Sequence, residues 1–288
     1  MDSAENKKGN IAMETNQAKP LCLLCRKNHQ QEISHIFPKF IMKKLKVEGD
    51  NGRFRNPVNP NFPLQDGLKC LMLCPECEDL LSKLEVHFAN KIFHPSYKSE
   101  LPENIGIGDT TALKFLSSLS FRLIAFSLKN ADFPNYLEQP FRYALNVLRN
   151  YLLGEISNIL PIFHELFYIA DYNDENIKNE NRSLYFYIKS ATDGDYIIYN
   201  NEILQYAVKF GPFVSLMTIG ASYGRSVTCE NALPDGFATK SLPLADLPLQ
   251  IIQFLFMGHE FACSGMSKIS PKQQKEIENR WRRLHGQN

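Results

Sequence analysis

Excess charge of either sign is missing from this chain. Its 32 Lys and Arg face 31 Asp and Glu, which leaves a formal net charge of +1 over 288 residues. Such a balance neither advertises nor excludes a nucleic-acid partner, so any basic footprint has to be local. Long apolar runs are missing too: the most apolar late stretch, Leu247 to Met257, falls short of the about 20 residues that cross a bilayer. The first 20 residues are polar, with Asp2, Glu5, Asn6, Lys7 and Lys8, and carry no apolar core of a secretory signal. No internal repeat is present. These absences predict a cytoplasmic protein with no membrane partner.

An even number of cysteines is also lacking. Seven cysteines, four of them in two Cys-x-x-Cys pairs, fit metal binding in a reducing compartment better than a disulfide framework. The other three, Cys70, Cys229 and Cys263, read as small apolar core residues. A hydrophobic fraction of 44% and a charged fraction of 22% are those of a soluble globular protein. A chain of this length divides most simply into two domains. Residues 1–20, rich in Asn, Lys, Glu and Ser without periodicity, read as a disordered tail. Residues 21–95 form a first module, and 110–288 an α+β domain whose role no motif reveals.

The two pairs are Cys22-Leu23-Leu24-Cys25 and Cys74-Pro75-Glu76-Cys77. Four thiolates presented two by two fill a tetrahedral structural zinc site, so Cys22, Cys25, Cys74 and Cys77 are the expected metal ligands. The second pair opens a helix. Pro75 stands near its start, where a missing N–H costs nothing, and Leu80, Leu81, Leu84, Phe88 and Ile92 fall on one face. A knuckle in a loop paired with a knuckle at a helix start is the treble-clef arrangement. Zinc there replaces a core that so small a module struggles to build. Between the knuckles, Phe40, Ile41 and Leu45 alternate with Lys39, Lys43, Lys44 and Lys46 in a short amphipathic helix. Gly49 to Gly67, with its prolines and asparagines, reads as loop or turn.

Beyond residue 110 the periodicity predicts helices over Thr111–Asn130, Pro140–Leu153 and Pro161–Ile169. Ser183–Ser190, Tyr196–Tyr199 and Phe213–Ile219 are rich in Tyr, Phe, Ile and Val and read as strands. Thr192-Asp193-Gly194-Asp195 is a hairpin signal. Ser270-Pro271 caps a final helix that ends in Arg280-Trp281-Arg282-Arg283.

Glu32-Ile33-Ser34-His35-Ile36-Phe37-Pro38 lies between the knuckles. A neutral imidazole can take a proton from a water that attacks a phosphodiester, provided hard ligands hold a divalent cation nearby. Glu32, Asp66, Glu78 and Glu85 are the carboxylates available, and Glu78 and Glu85 share one helix face. The duller reading of His35 is a side chain that packs or hydrogen-bonds beside the zinc. His29, His87 and His94 read as solvated or satisfied helix-end residues.

Together, Cys22-x-x-Cys25, Glu32-x-Ser34-His35-Ile36-x-Pro38 and Cys74-x-x-Cys77-Glu78, with Lys83 downstream, resemble HNH endonucleases of the four-cysteine, treble-clef type. The string Ser34 to Phe40, with Gln65-Asp66-Gly67, is similar to bacterial HNH-like proteins. This resemblance spans residues 21–95. It implies a ββα-metal-like module ahead of the mixed α+β domain, structural Zn²⁺ and a catalytic Mg²⁺ or Mn²⁺. The implied activity is hydrolysis of phosphodiester bonds in DNA, with bacterial defence as its setting. By position, His35 would be the general base and Glu32 a supporting residue. The family usually has Asp or His where Ser34 stands, and His or Asn where Glu78 follows the last cysteine. Glu78 can still bind a hard cation through a carboxylate oxygen, whereas Ser34 is a weaker ligand. Asn56, Asn59 and Asn61 are the candidates for the family's middle Asn.

Lys39, Lys43, Lys44, Lys46, Arg53 and Arg55 concentrate positive charge downstream of His35, with Glu48 and Asp50 as the few acidic neighbours. A phosphate backbone would bind such a stripe with salt-sensitive affinity; the alternative is a solvated helix face. Arg280, Arg282 and Arg283 around Trp281 could stack a base and hold phosphate, or form an amphipathic end helix with Trp281 packed on the body. DNA is the expected partner and RNA the alternative. The second domain is expected to serve substrate or signal recognition, a homo-oligomer or a partner protein. The competing function is a catalytically impaired, zinc-stabilised module for nucleic-acid binding or protein assembly.

Overall fold

The computed structural model describes residues 20–49, 52–98, 108–130, 134–199, 203–219 and 238–284. The tail expected over 1–20, apart from Pro20, lies outside the described residues, as does Cys229. The described chain enters through a tight turn. Arg26 N–H donates to Cys22 O at 2.9 Å, and Arg26 takes φ 57°, in the left-handed region. For a residue with a Cβ this backbone costs about 1 kcal/mol, and it turns the following N–H groups toward the Cys25 sulfur.

Strand β1 (Glu32–His35) leads to helix α1 (Lys39–Glu48), which buries Ile41, Met42 and Leu45. The hairpin of β2 (Phe54–Asn56) and β3 (Asn59–Leu64) follows, then β4 (Lys69–Leu73). β4 returns antiparallel to β1, with Ser34 opposite Cys70 and His35 opposite Lys69. Leu23 N–H donates to Met72 O at 3.0 Å, which ties the first turn to the same strand. Helix α2 (Pro75–Phe88) starts at once, with Pro75 in its first turn and Glu76 and Glu78 facing its positive end. Cys77, Leu81, Leu84 and Phe88 make its buried stripe. A π-helical turn over Ala89–Phe93 carries it into α3 (His94–Ser96).

Helix α4 (Thr110–Asn130) is the spine of the molecule, and Asp109 accepts its Ala112 N–H at 2.9 Å. α5 (Asn135–Leu152) packs along it. Next come β5 (Ile162–Ile169), α6 (Glu175–Glu180), α7 (Arg182–Ser190), β6 (Thr192–Tyr199), β7 (Ile203–Phe210), β8 (Phe213–Ile219) and β9 (Ala238–Leu242). The strands form a five-stranded sheet in the order β6-β7-β8-β5-β9, antiparallel except where β5 meets β9. Helices α8 (Leu249–Met266) and α9 (Pro271–Leu284) close the chain.

One face of the sheet packs on α4, where Ser127 Oγ and Tyr206 OH lie 3.1 Å apart. The other face packs on α7, where the buried Lys209 ammonium donates to the carbonyls of Tyr187, Ile188, Ala191 and Gly211 at 2.7–3.1 Å. One contiguous apolar core runs from Cys22 to Leu255. Phe88 of α2, Phe115 of α4, Phe93 and Phe213 stack across the junction between the cysteine module and the sheet. Helix α9 folds back on the hairpin: Arg55 donates to Gln273 Oε1 at 3.2 Å, and Ser270 N–H to Asn61 Oδ1 at 2.8 Å. α4 is long and apolar enough to cross a membrane by length and composition, but 72% of that window is buried within the fold.

α4, α5 and β8 occur where the periodicity places them, and Ser270 Oγ accepts the Gln273 N–H of α9. Other expectations are corrected. Gly49–Gly67 contains the β2–β3 hairpin, and β3 tolerates Pro60 and Pro63 because β2 is its one ladder partner among the described residues. Pro161–Ile169 contains strand β5, not a helix. β5 is flanked on both sides in the sheet and largely buried, so its near-continuous apolar run mimics helical spacing. Ser183–Ser190 is helix α7 rather than a strand: Asn181 Oδ1 caps it by accepting the Leu184 N–H at 3.0 Å. Thr192–Asp195 is not a hairpin turn but lies inside β6, paired along its length with β7. Cys70 is only half-buried and Cys263 is exposed, so neither is the core residue expected.

Candidate metal centre

The four cysteine sulfurs come from two places in the chain that β4 brings together. Cys22 and Cys25 lie on the entry turn, while Cys74 ends the extended segment after β4 and Cys77 lies in the first turn of α2. All four Sγ atoms lie within 4.8 Å of one another, and Cys25 and Cys74 are 3.7 Å apart. A tetrahedron of sulfurs about 2.3 Å from a zinc ion has edges of about 3.8 Å. The sulfurs therefore already sit at metal-ligand spacing, as free thiols rather than disulfides. They form a group able to hold a metal ion such as zinc.

The electrostatics fit that occupant. At Cys25, burial opposes ionisation, but the N–H groups of Asn28 and Lys27 and the sulfurs of Cys22 and Cys74 outweigh it and bring the thiol down to about 7. Burial pushes Cys74 up to about 11 and raises Cys77 as well. Sulfurs crowded together out of water ionise jointly only beside a cation, and a divalent ion supplies that charge. Asn28 Nδ2 stands 3.8 Å from Cys74 Sγ and donates to Glu76 Oε2 at 3.1 Å, which links the entry turn to the start of α2.

His35 ends β1, half-buried, and α2 packs on that strand. Burial, then Lys69 and Lys39, hold its imidazole below the usual histidine range, with Asp66 and Glu78 pulling the other way. The ring is thus neutral at pH 7. Ser34 Oγ, His35 Nε2 and Glu78 Oε1 are among the fifteen buried side-chain atoms without a hydrogen-bond partner among the described residues, and Ser34, adjacent to His35 in β1, points to the opposite side of the strand.

The other carboxylates are engaged elsewhere. Asp66 bridges Lys69 at 3.1 Å and Lys46 at 3.5 Å, and Glu85 accepts from Arg122 at 2.7 Å. The supporting role expected of Glu32 rests on a side chain outside the described residues, although its backbone opens β1 opposite Leu73. Among the described residues, the four cysteines are the one group of three or more His, Cys, Asp or Glu poised to hold a metal.

The basic stripe divides. Lys39 and Lys43 are exposed. Lys44 pairs with Glu48 at 2.6 Å and lies over the Tyr97 ring, and Lys46 turns to Asp66. Arg55 donates to Pro60 O and to Gln273, and Arg53 lines the cleft against α9. His87 bonds Asp109 at 2.7 Å, and His94 packs edge-on to Phe40 and Phe93, in line with structural roles. Sequence reasoning missed two buried cations, Lys209 and Arg122, because each lies in an apolar run with no local signal. It also kept Arg280 apart from Arg53 and Arg55, which only the return of α9 brings together. No protein-family model matches this chain, and neither a curated protein nor a solved structure does.

Proposed function

We propose that the chain is a metal-dependent nuclease of the HNH type that hydrolyses phosphodiester bonds in DNA, built on a treble-clef zinc module. One observation carries the reading: His35 Nε2 and Glu78 Oε1 are both buried without a hydrogen-bond partner among the described residues, and the charge of Glu78 acts on the His35 ring. Fifteen side-chain atoms share this status among the described residues, so the pair counts because His35 and Glu78 also act on each other. His35, kept neutral by burial and by Lys69 and Lys39, takes the proton of the attacking water. The same two lysines favour the approach of the phosphate. The Glu78 carboxylate would be the hard ligand for Mg²⁺ or Mn²⁺. Such a cation, when bound, stabilises the charge that develops on the phosphate and the leaving oxygen. The zinc's role is to fix β1 against α2. The free thiols among the described cysteines support a cytoplasmic, reducing setting.

The test is nicking of supercoiled DNA in Mg²⁺ or Mn²⁺ by wild type, His35→Ala and Glu78→Ala. Wild type nicks; both variants lose at least about a hundredfold, the scale of a general base, with zinc content unchanged. Equal rates would end the assignment. The lack of a second metal-binding group among the described residues favours one other reading, a zinc-stabilised nucleic-acid-binding module without turnover. It expects salt-sensitive binding that survives His35→Ala and falls when Lys39 and Lys43 are neutralised.

A further inference from the structure

Strand β6 and helix α8 face each other across a groove that shares no residue with the metal centre. The groove encloses about 740 Å³, and among the described residues its lining includes the run Asp193–Ile198 and, from α8, Phe254, Met257 and Phe261. Neighbouring residues of a strand point to opposite faces, so six in succession place the groove along the open edge of β6. That strand ends the five-stranded sheet and has β7 as its one strand partner among the described residues. Gly258 lets α8 come this close, because a Cβ there would collide with Tyr187 OH and Asp193 Oδ2.

An open edge points first to a further strand. The backbone of β6 argues against one. Alternate residues of an edge strand turn their N–H away from the partner strand. Here Gly194 N–H donates to Asp193 Oδ1 and Tyr196 N–H to Asp195 Oδ1, each at 2.8 Å. Charged side chains on an edge block strand pairing, so the groove suits a ligand held by side chains.

The two aspartates differ. Asp193 is committed: its Oδ2 accepts from Tyr187 OH at 2.7 Å, and its charge acts on the buried Lys209. Asp195 is exposed, and beyond the Tyr196 N–H its carboxylate has no hydrogen-bond or ion-pair partner among the described residues. No Lys, Arg or His lines the groove among those residues. On the α8 side Met257 is 67% and Phe261 57% exposed, next to the buried Phe254. An amphipathic cation satisfies both features, since it covers apolar surface and brings a charged donor to the carboxylate. The volume lies within the about 300–1,000 Å³ typical of small-molecule sites.

We propose that this groove binds a small organic cation, a primary or secondary ammonium carried on an aromatic or aliphatic body. The ammonium donates to Asp195, and the body covers Phe254, Met257 and Phe261. The site stands whether or not the chain cleaves DNA.

The test is a ligand-observed NMR titration of the full-length protein with naphthylmethylammonium, its neutral counterpart naphthylmethanol and the anion naphthoate. Wild type is expected to bind the ammonium at least about tenfold tighter than the alcohol, with naphthoate weakest. Asp195→Asn keeps an oxygen for the Tyr196 N–H; it is expected to erase the preference for the ammonium and leave the alcohol unchanged. Phe261→Ala, at an exposed position, is expected to weaken ammonium and alcohol alike by about fivefold. Equal affinity for the three probes, an unchanged preference in Asp195→Asn, or no binding at millimolar concentration would overturn the proposal. A wild-type dimer in sedimentation that Phe261→Ala dissociates would assign the groove to a second copy of the chain and overturn it as well.

Discussion

The rings of Phe88 and Phe115 stack with centroids 4.1 Å apart. Phe88 ends the helix whose first turn carries Cys77, and Phe115 belongs to the core helix α4. The four-sulfur group and the five-stranded sheet therefore share one core rather than two.

That continuity makes metal loss a global event. Structural zinc contributes on the order of 10 kcal/mol in small modules, and in a chain of this size each kcal/mol moves Tm by about 2–4 °C. Chelation of the purified protein is expected to lower Tm by at least about 10 °C in a single transition, followed by circular dichroism. Two separated transitions, with only the smaller responding to chelator, would show that the module folds independently.

Under the proposed nuclease reading, the pH profile of cleavage reports on His35. Burial, Lys69 and Lys39 hold its pKa below the usual value, so the acid limb of kcat/KM is expected below about 6.5. Lys69→Gln removes a cation and frees Asp66, which raises the imidazole pKa and moves that limb to higher pH. An unmoved limb in Lys69→Gln would assign the titration to another group.

Arg122 is buried to 1% side-chain exposure and has Glu85 as its one ion-pair partner among the described residues. Glu85→Ala is expected to cost about 3–5 kcal/mol, because a buried guanidinium is left without its counter-charge. Arg122→Met combined with Glu85→Leu should recover most of that loss, as measured by urea unfolding. A Glu85→Ala effect under about 1 kcal/mol would mean that water already reaches Arg122.

Acid stability tests a different group. His164 is fully buried in β5, neither ring nitrogen has a hydrogen-bond partner among the described residues, and burial pulls its pKa down to about 3. The unfolded chain, near 6.5, binds the proton more readily than the folded chain does. Stability is therefore full above about 6.5 and is lost as pH falls from there toward 3. His164→Leu should lower the pH midpoint of acid unfolding; an identical midpoint would place the acid sensitivity elsewhere.

The sequence exposed those parts whose local chemistry is unambiguous. Paired cysteines with Pro75 at a helix start identify the sulfur group and α2, and the β-branched and aromatic run Phe213–Ile219 identifies β8. Burial on both faces hid the rest. β5 has no polar face to set a period of two, so Ile162, Leu166 and Ile169 imitate a helix. α7 is so aromatic that its side chains imitate a strand, whereas in the fold Asn181 caps it as a helix. The motif nominates His35 and Glu78 as candidates, but the engagement of Asp66 by Lys69 and Lys46, and of Glu85 by Arg122, depends on tertiary contacts that no spacing encodes.

The central claim is that one zinc ion, bound by Cys22, Cys25, Cys74 and Cys77, fixes β1 and α2 and with them His35 and Glu78. Zinc K-edge absorption on the purified full-length protein measures this directly. The account expects about one zinc per chain with four sulfur neighbours near 2.3 Å. A metal-free protein that is stably folded, or a zinc shell made of nitrogen and oxygen, would contradict it.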